Sequence, residues 1–136
     1  MFQFTFSAMG TELEILVYDS VSKILQEKIK SEIFNYTVFF DEQFSRFKND
    51  SLISKISQAP GIYSVPRELI EILSIYQRFF ILTSGSLNPL VGNTLSDLGY
   101  DKDYSLRRKS EVRTTPNFIE TVKILDNNEI EVEKMF

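Results

Sequence analysis

The 136 residues are 43% hydrophobic and carry 15 basic against 19 acidic side chains, a net charge of −4. That is enough apolar material for one core and too little chain for two ordinary domains, so one domain over residues 1–136 is expected. The acidic balance provides no electrostatic footprint for a phosphate backbone, so no nucleic-acid partner is expected. With neither cysteine nor histidine, the chain has no thiol nucleophile, disulfide, Cys/His zinc site or Ser-His-Asp triad. Any metal would be a hard cation such as Mg²⁺ on oxygen ligands.

In chain order, Phe2, Phe4 and Phe6 alternate with Gln3, Thr5 and Ser7, and Leu13, Ile15 and Val17 alternate with Glu12, Glu14 and Leu16. This predicts a hairpin around the small, flexible stretch Ser7-Ala8-Met9-Gly10-Thr11. The opening MFQFTF alternates like a strand and has no charged start followed by an apolar run, so it does not read as a targeting leader. Ile24, Leu25, Ile29, Ile33, Phe34 and Val38 then recur at helical spacing and predict a helix over about residues 20 to 40, with Asp19 or Ser20 as its cap.

The segment FDEQFSRFKNDS breaks that period, and Asn49-Asp50-Ser51 offers a cap for a short helix carrying Leu52, Ile53 and Ile56, closed by Pro60-Gly61. IYSV is a short strand, and Pro66 opens a third helix with Leu69, Ile72, Leu73, Tyr76 and Phe80 on its apolar face, stopped at Thr83-Ser84-Gly85-Ser86. The best candidate for a membrane span, IYQRFFIL, is interrupted by Gln77 and Arg78, and the chain reads as soluble. NPLVGNTLSDLGYD suggests a helical turn or two, and KDYSLRRKSEVRTTPN a polar, basic loop. IETVKIL and EIEVE, joined by Asp126-Asn127-Asn128, predict a closing hairpin in which Glu129, Glu131 and Glu133 form one strand face. The fold class is α+β: antiparallel sheet, with helices between an N-terminal and a C-terminal hairpin.

Three loops gather small, hydroxyl and amide side chains: residues 7–11, 44–51 and 83–92. Glycine at positions 10 and 85 lets backbone approach a ligand, and hydroxyls beside exposed N–H groups suit phosphate or ring oxygens. In this order the loops resemble the FAD:protein FMN transferases, the ApbE or thiamine biosynthesis lipoprotein family. SAMGTELEILVYD is similar to that family's Met-Gly-Thr signature leading into a strand. FDEQFSRFKNDSLISKIS resembles its following segment, and TSGSLNPLVGNTLSDLGYD its Thr-Asp-Gly-Ala stretch ending in Leu-Trp-Gly-Phe.

The resemblance implies a partial ApbE-like fold in which residues 1–136 correspond to the N-terminal half of a flavin transferase. It implies FAD contacts from Met9, Gly10 and Thr11, from Phe47, and from Ser86, Leu87 and Asn88. For Met9 and Phe47, plain core packing is the alternative. Family members carry aspartate where this chain has Ser84 and Asn88, and tryptophan where it has Leu98, while Tyr100 replaces a phenylalanine.

For the family, the implied chemistry is attack by a threonine hydroxyl of an acceptor protein on the FMN phosphorus of FAD, expelling AMP while Mg²⁺ stabilises the diphosphate charge. The Mg²⁺ ligands and catalytic groups belong to motifs not found in this sequence, so no catalytic or metal residue is assigned. The chain is then either the N-terminal part of such an enzyme or a free-standing, non-catalytic module that binds flavin or a protein partner. Family members are often membrane-anchored or periplasmic. The expected partners are FAD, an acceptor flavoprotein and, through an uncovered apolar face, a second copy. The basic run Arg107, Arg108, Lys109 and Arg113 lacks interleaved aromatics and reads as a solvated loop.

Overall fold

A computed structural model describes residues 1–101 and 103–136. Lys102, the first residue of the predicted basic loop, lies outside the described residues. The α+β class holds, with two small antiparallel sheets and five helices among the described residues. The chain forms two compact units, Met1–Ser54 and Lys55–Phe136.

In the first unit, β1 (Phe2–Ala8) and β2 (Thr11–Val17) pair antiparallel, with Ala8 opposite Thr11 and Phe2 opposite Val17. Alternation sends Phe2, Phe4, Phe6, Leu13, Ile15 and Val17 to one half-buried face, as a period of two requires. The helix α1 (Lys23–Phe44) packs on β1, and Phe34 lies edge-on to Phe6 at 6.5 Å between ring centres. Its cap is Ser22, whose hydroxyl accepts from the Leu25 N–H at 3.3 Å, in place of the expected Asp19 or Ser20. It also runs four residues beyond the expected Phe40. There Phe40 and Phe44 form an edge-to-face pair at 4.7 Å, a contact made one turn apart on the helix surface.

The predicted stripe on α1 is not buried: Ile24 is 85% and Phe34 54% exposed. The physical reason is size, because a 22-residue helix is about 33 Å long and a seven-residue strand about 24 Å. A two-stranded ribbon cannot cover such a helix.

The helix α2 (Leu52–Gln58) begins at Ser51, which is fully buried; its hydroxyl donates to the Ser45 carbonyl at 2.7 Å and accepts from the Ser54 N–H at 3.1 Å. In the second unit, β3 (Gly61–Ser64), β4 (Val122–Ile124) and β5 (Glu129–Val132) form a sheet of order β3-β5-β4. The closing hairpin is therefore completed by the strand from IYSV. Asn127 and Asn128, both at positive φ, make the hairpin turn, a conformation asparagine tolerates. Residues 119–121, expected as strand, instead belong to a helical turn, α5 (Phe118–Thr121), because the Asn117 side chain accepts from the N–H groups of Ile119 and Glu120.

The helix α3 (Arg67–Leu82) has Pro66 as its cap and not as its first residue, so it begins one residue later than expected. It buries Leu69 and Leu73 on the predicted face. The short α4 (Gly92–Asp97) follows. Every fully buried apolar side chain among the described residues, from Ile56, Val65 and Leu90 to Phe118, Val122, Ile130 and Val132, lies in this second unit. No helix among the described residues is long and apolar enough to cross a membrane.

Candidate functional site

Met9 and Gly10 are the two central residues of the β1–β2 turn, at φ 52° and 74°. Two successive positive φ values define the turn that matches the twist of a tight hairpin, which normally selects Asn-Gly. Glycine takes this conformation freely, and a Cβ added at Gly10 would meet nothing within 4 Å. Methionine does not, since its Cβ crowds the following carbonyl. Among the described residues Met9 is 48% exposed. Gly10 and Thr11, with Ser7, Ala8 and Glu12, line an open groove of about 510 Å³.

Phe47 follows α1 and is likewise exposed among the described residues, at 39%. The Arg46 guanidinium lies 4.2 Å from the centre of its ring, close enough for cation–π attraction. Composition gave no reason to single out Arg46; its adjacency to Phe47 was the only signal. The loop is braced by Lys48, which is paired with Asp41 at 2.6 Å, and this hydrogen bond raises the lysine pKa.

Ser86, Leu87 and Asn88 belong to the second unit. Their loop leaves α3 through Ser84 and Gly85, at φ 49° and 85°. Thr83 holds it, its hydroxyl donating to the Phe79 carbonyl at 2.7 Å and accepting from the Leu87 N–H at 3.0 Å. Ser86 and Leu87 are exposed. The Asn88 side chain is engaged in the fold, donating to the Pro116 carbonyl at 2.8 Å and accepting from the Leu90 N–H at 2.9 Å. Met9, Gly10, Thr11 and Phe47 thus share one unit, and the other three share the second.

The strongest electrostatic feature was missed by sequence reasoning. Asp97 ends α4 with a side chain only 2% exposed. Its carboxylate accepts from Arg113 Nε at 2.7 Å and Nη2 at 2.8 Å, from the Arg113 N–H at 3.1 Å, and from Lys109 Nζ at 2.8 Å. The arginine fork, then the lysine, hold the Asp97 carboxyl far below the usual range, and Arg113 is raised in turn. Two cations of the basic segment therefore pair with an internal acid, while their own side chains stay solvated, at 59% and 54% exposure.

The family-implied Mg²⁺ does not fit the residues present. Asp97 is saturated by cations, and Asp101 accepts from the Ser105 hydroxyl at 2.6 Å and from the N–H groups of Asp103 and Ser105. Among the described residues no three acidic side chains cluster as metal ligands. Met9, the open Gly10 backbone and Phe47 leave apolar and planar surface exposed.

The ApbE family model matches residues 9–135. The chain belongs to the ApbE family. None of the curated proteins matches it. Among solved structures, this ApbE chain is similar to the apo flavinyl transferase ApbE of Pseudomonas stutzeri (16% identity, TM-score 0.73, covering 96% of this chain and 44% of that one). It is also similar to the ApbE protein of Thermotoga maritima (23%, 0.72, 96% and 44%) and the flavin transferase ApbE of Vibrio cholerae (22%, 0.69, 97% and 45%). At these identities the likeness is one of fold. The ApbE chain here spans less than half the length of each of these structures.

Proposed function

We propose that residues 1–136 act as one domain corresponding to the N-terminal half of an FAD:protein FMN transferase, and that they contribute FAD-binding surface rather than the catalytic groups. The observation that carries this reading is Met9: an exposed methionine held at positive φ in a turn that asparagine would fill without strain. Strain kept at an exposed position points to a use for that side chain. In this reading the first unit offers Met9, Gly10, Thr11 and Phe47 as FAD-binding surface, and Ser86, Leu87 and Asn88 are the candidates that the second unit offers. Asn88 would act mainly by shaping its loop, given its bonds to Pro116 and Leu90. FAD is the substrate, Mg²⁺ would be held by groups outside this sequence, and the FMN acceptor would be a threonine of another protein. A second reading, a non-catalytic module that binds flavin or a protein partner, is favoured by the same engagement of Asn88 and by the saturation of Asp97.

Calorimetric titration of the chain with FAD, AMP and FMN tests the first reading. Binding should be weak, about 3 to 5 kcal/mol short of a complete site with its metal clamp, or two to four decades in Kd. It should weaken further in Met9→Ala and Phe47→Ala. Tight binding indifferent to both substitutions would place the site elsewhere. The chain alone should release no AMP from FAD and Mg²⁺, and AMP above the no-protein control would overturn the assignment of the catalytic groups to other residues.

A further inference from the structure

Residues 107–117 contain no helix or strand, so no backbone ladder fixes this segment. Side chains of α4 fix its last part instead. Thr94 and Asp97 stand three residues apart on that helix, which sets them on one face. The Asp97 carboxylate takes the main-chain N–H of Arg113 as well as its guanidinium. The Thr94 hydroxyl lies 2.9 Å from the Arg113 carbonyl and 2.7 Å from the Thr115 hydroxyl. Having one proton, it donates to the carbonyl and accepts from Thr115. Pro116 comes next, and its carbonyl accepts from the Asn88 side chain at 2.8 Å. Asn88 in turn accepts from the N–H of Leu90, a buried residue. All of these residues lie in the second unit.

We propose that residues 113–116 form a strap, clamped to α4 by Asp97 and Thr94, which sets the position of loop 86–88 through Asn88. Asp97 and Thr94 are then positioning residues for the contacts of that loop with FAD, which rests on the reading of the loop as FAD-binding surface. The near side of the loop has its own anchor. Thr83, the C-cap of α3, accepts from the Ser86 N–H through its carbonyl at 3.1 Å and from the Leu87 N–H through its hydroxyl at 3.0 Å. The far side hangs on Asn88, whose partner Pro116 belongs to the segment without regular structure. Left unclamped, that carbonyl would carry the loop with it, and a displacement of about 1 Å in a substrate-positioning group is costly. A buried carboxylate requires its cations. Here Arg113 meets that need with its backbone as well as its fork, so the buried charge orders main chain three residues before Pro116, whose ring fixes one more dihedral on the way.

The test is NMR spectroscopy of the 136-residue chain, without ligand and in a titration with FAD. Thr94→Val removes the hydroxyl at nearly constant volume, Thr94→Ser restores it, and Asp97→Asn removes the charge. We expect the Ser86, Leu87 and Leu90 amide signals and the Asn88 side-chain amide to shift in Thr94→Val and Asp97→Asn and to return in Thr94→Ser. The amides of Ile62 and Ile130, paired in the sheet, should stay in place. The Kd for FAD should rise about three- to tenfold in Thr94→Val, as the loss of one hydrogen-bonded clamp implies, and recover in Thr94→Ser. Three results would overturn the proposal: loop signals that stay put in both variants while only those of residues 109–113 move, sheet amides that move as much as the loop, or a Thr94→Ser that behaves as Thr94→Val. Wild-type Ser86 and Leu87 signals that ignore FAD would bring down the FAD reading of the loop, and the strap would then stand or fall on the ligand-free signals alone.

Discussion

The two units use their apolar residues in opposite ways. Residues 1–54 hold eight of the twelve phenylalanines, at positions 2, 4, 6, 34, 39, 40, 44 and 47, yet none of their apolar side chains is fully buried; only Thr37 and Ser51 are. Residues 55–136 hold four phenylalanines and all of the dry core, with Phe118, Ile130 and Val132 at 2% exposure or less. Hydrophobicity alone therefore does not make a core. Layers do: in the second unit α3 and α5 pack on a three-stranded sheet, whereas in the first a single helix lies on a ribbon too narrow to shield it.

Matched truncations should break this comparison most sharply. Phe118→Ala should cost about 3–5 kcal/mol in urea unfolding, as a fully buried ring leaves a cavity, while Phe34→Ala should cost about 1 kcal/mol. Equal costs would mean that the first unit has a core of its own.

Next in size is the Asp97 staple, which the first unit has no counterpart to among the described residues. Because its hydrogen bonds hold the carboxyl below the unfolded value of about 3.9, Asp97 adds stability above that pH. The contribution is lost as pH falls through the folded value. Asp97→Asn should lower the urea midpoint at pH 7, and the gap to wild type should narrow below about pH 4. A gap independent of pH would show that the carboxylate charge is not what stabilises the loop.

Met9→Asn should stabilise the hairpin by about 1 kcal/mol through relief of the left-handed strain, while weakening FAD binding. A variant that is both more stable and an equally good binder would remove the functional reason for the strain. The smallest effect belongs to Thr121. Its hydroxyl is buried without a hydrogen-bond partner among the described residues, so Thr121→Val should raise stability by about 0.5 kcal/mol, seen as a small rise in Tm.

What the sequence by itself determined was whatever neighbours along the chain dictate. Alternation wrote both hairpins, helical spacing marked the buried face of α3, Ser51 and Asn127-Asn128 announced a cap and a turn, and the Met-Gly-Thr motif pointed to the family. These signals are short-ranged and survive in isolation. Only the tertiary structure decided that β3 joins β5, that Asn117 turns residues 118–121 into a helical turn, that Asn88 is tied to Pro116, and that Arg113 and Lys109 serve Asp97. With the exception of the Asn117 cap, a local signal outcompeted by strand alternation, each depends on residues distant in sequence meeting in space. Burial followed the same rule: the periodicity of α1 marked an apolar stripe, but whether it was covered depended on how much sheet lay opposite.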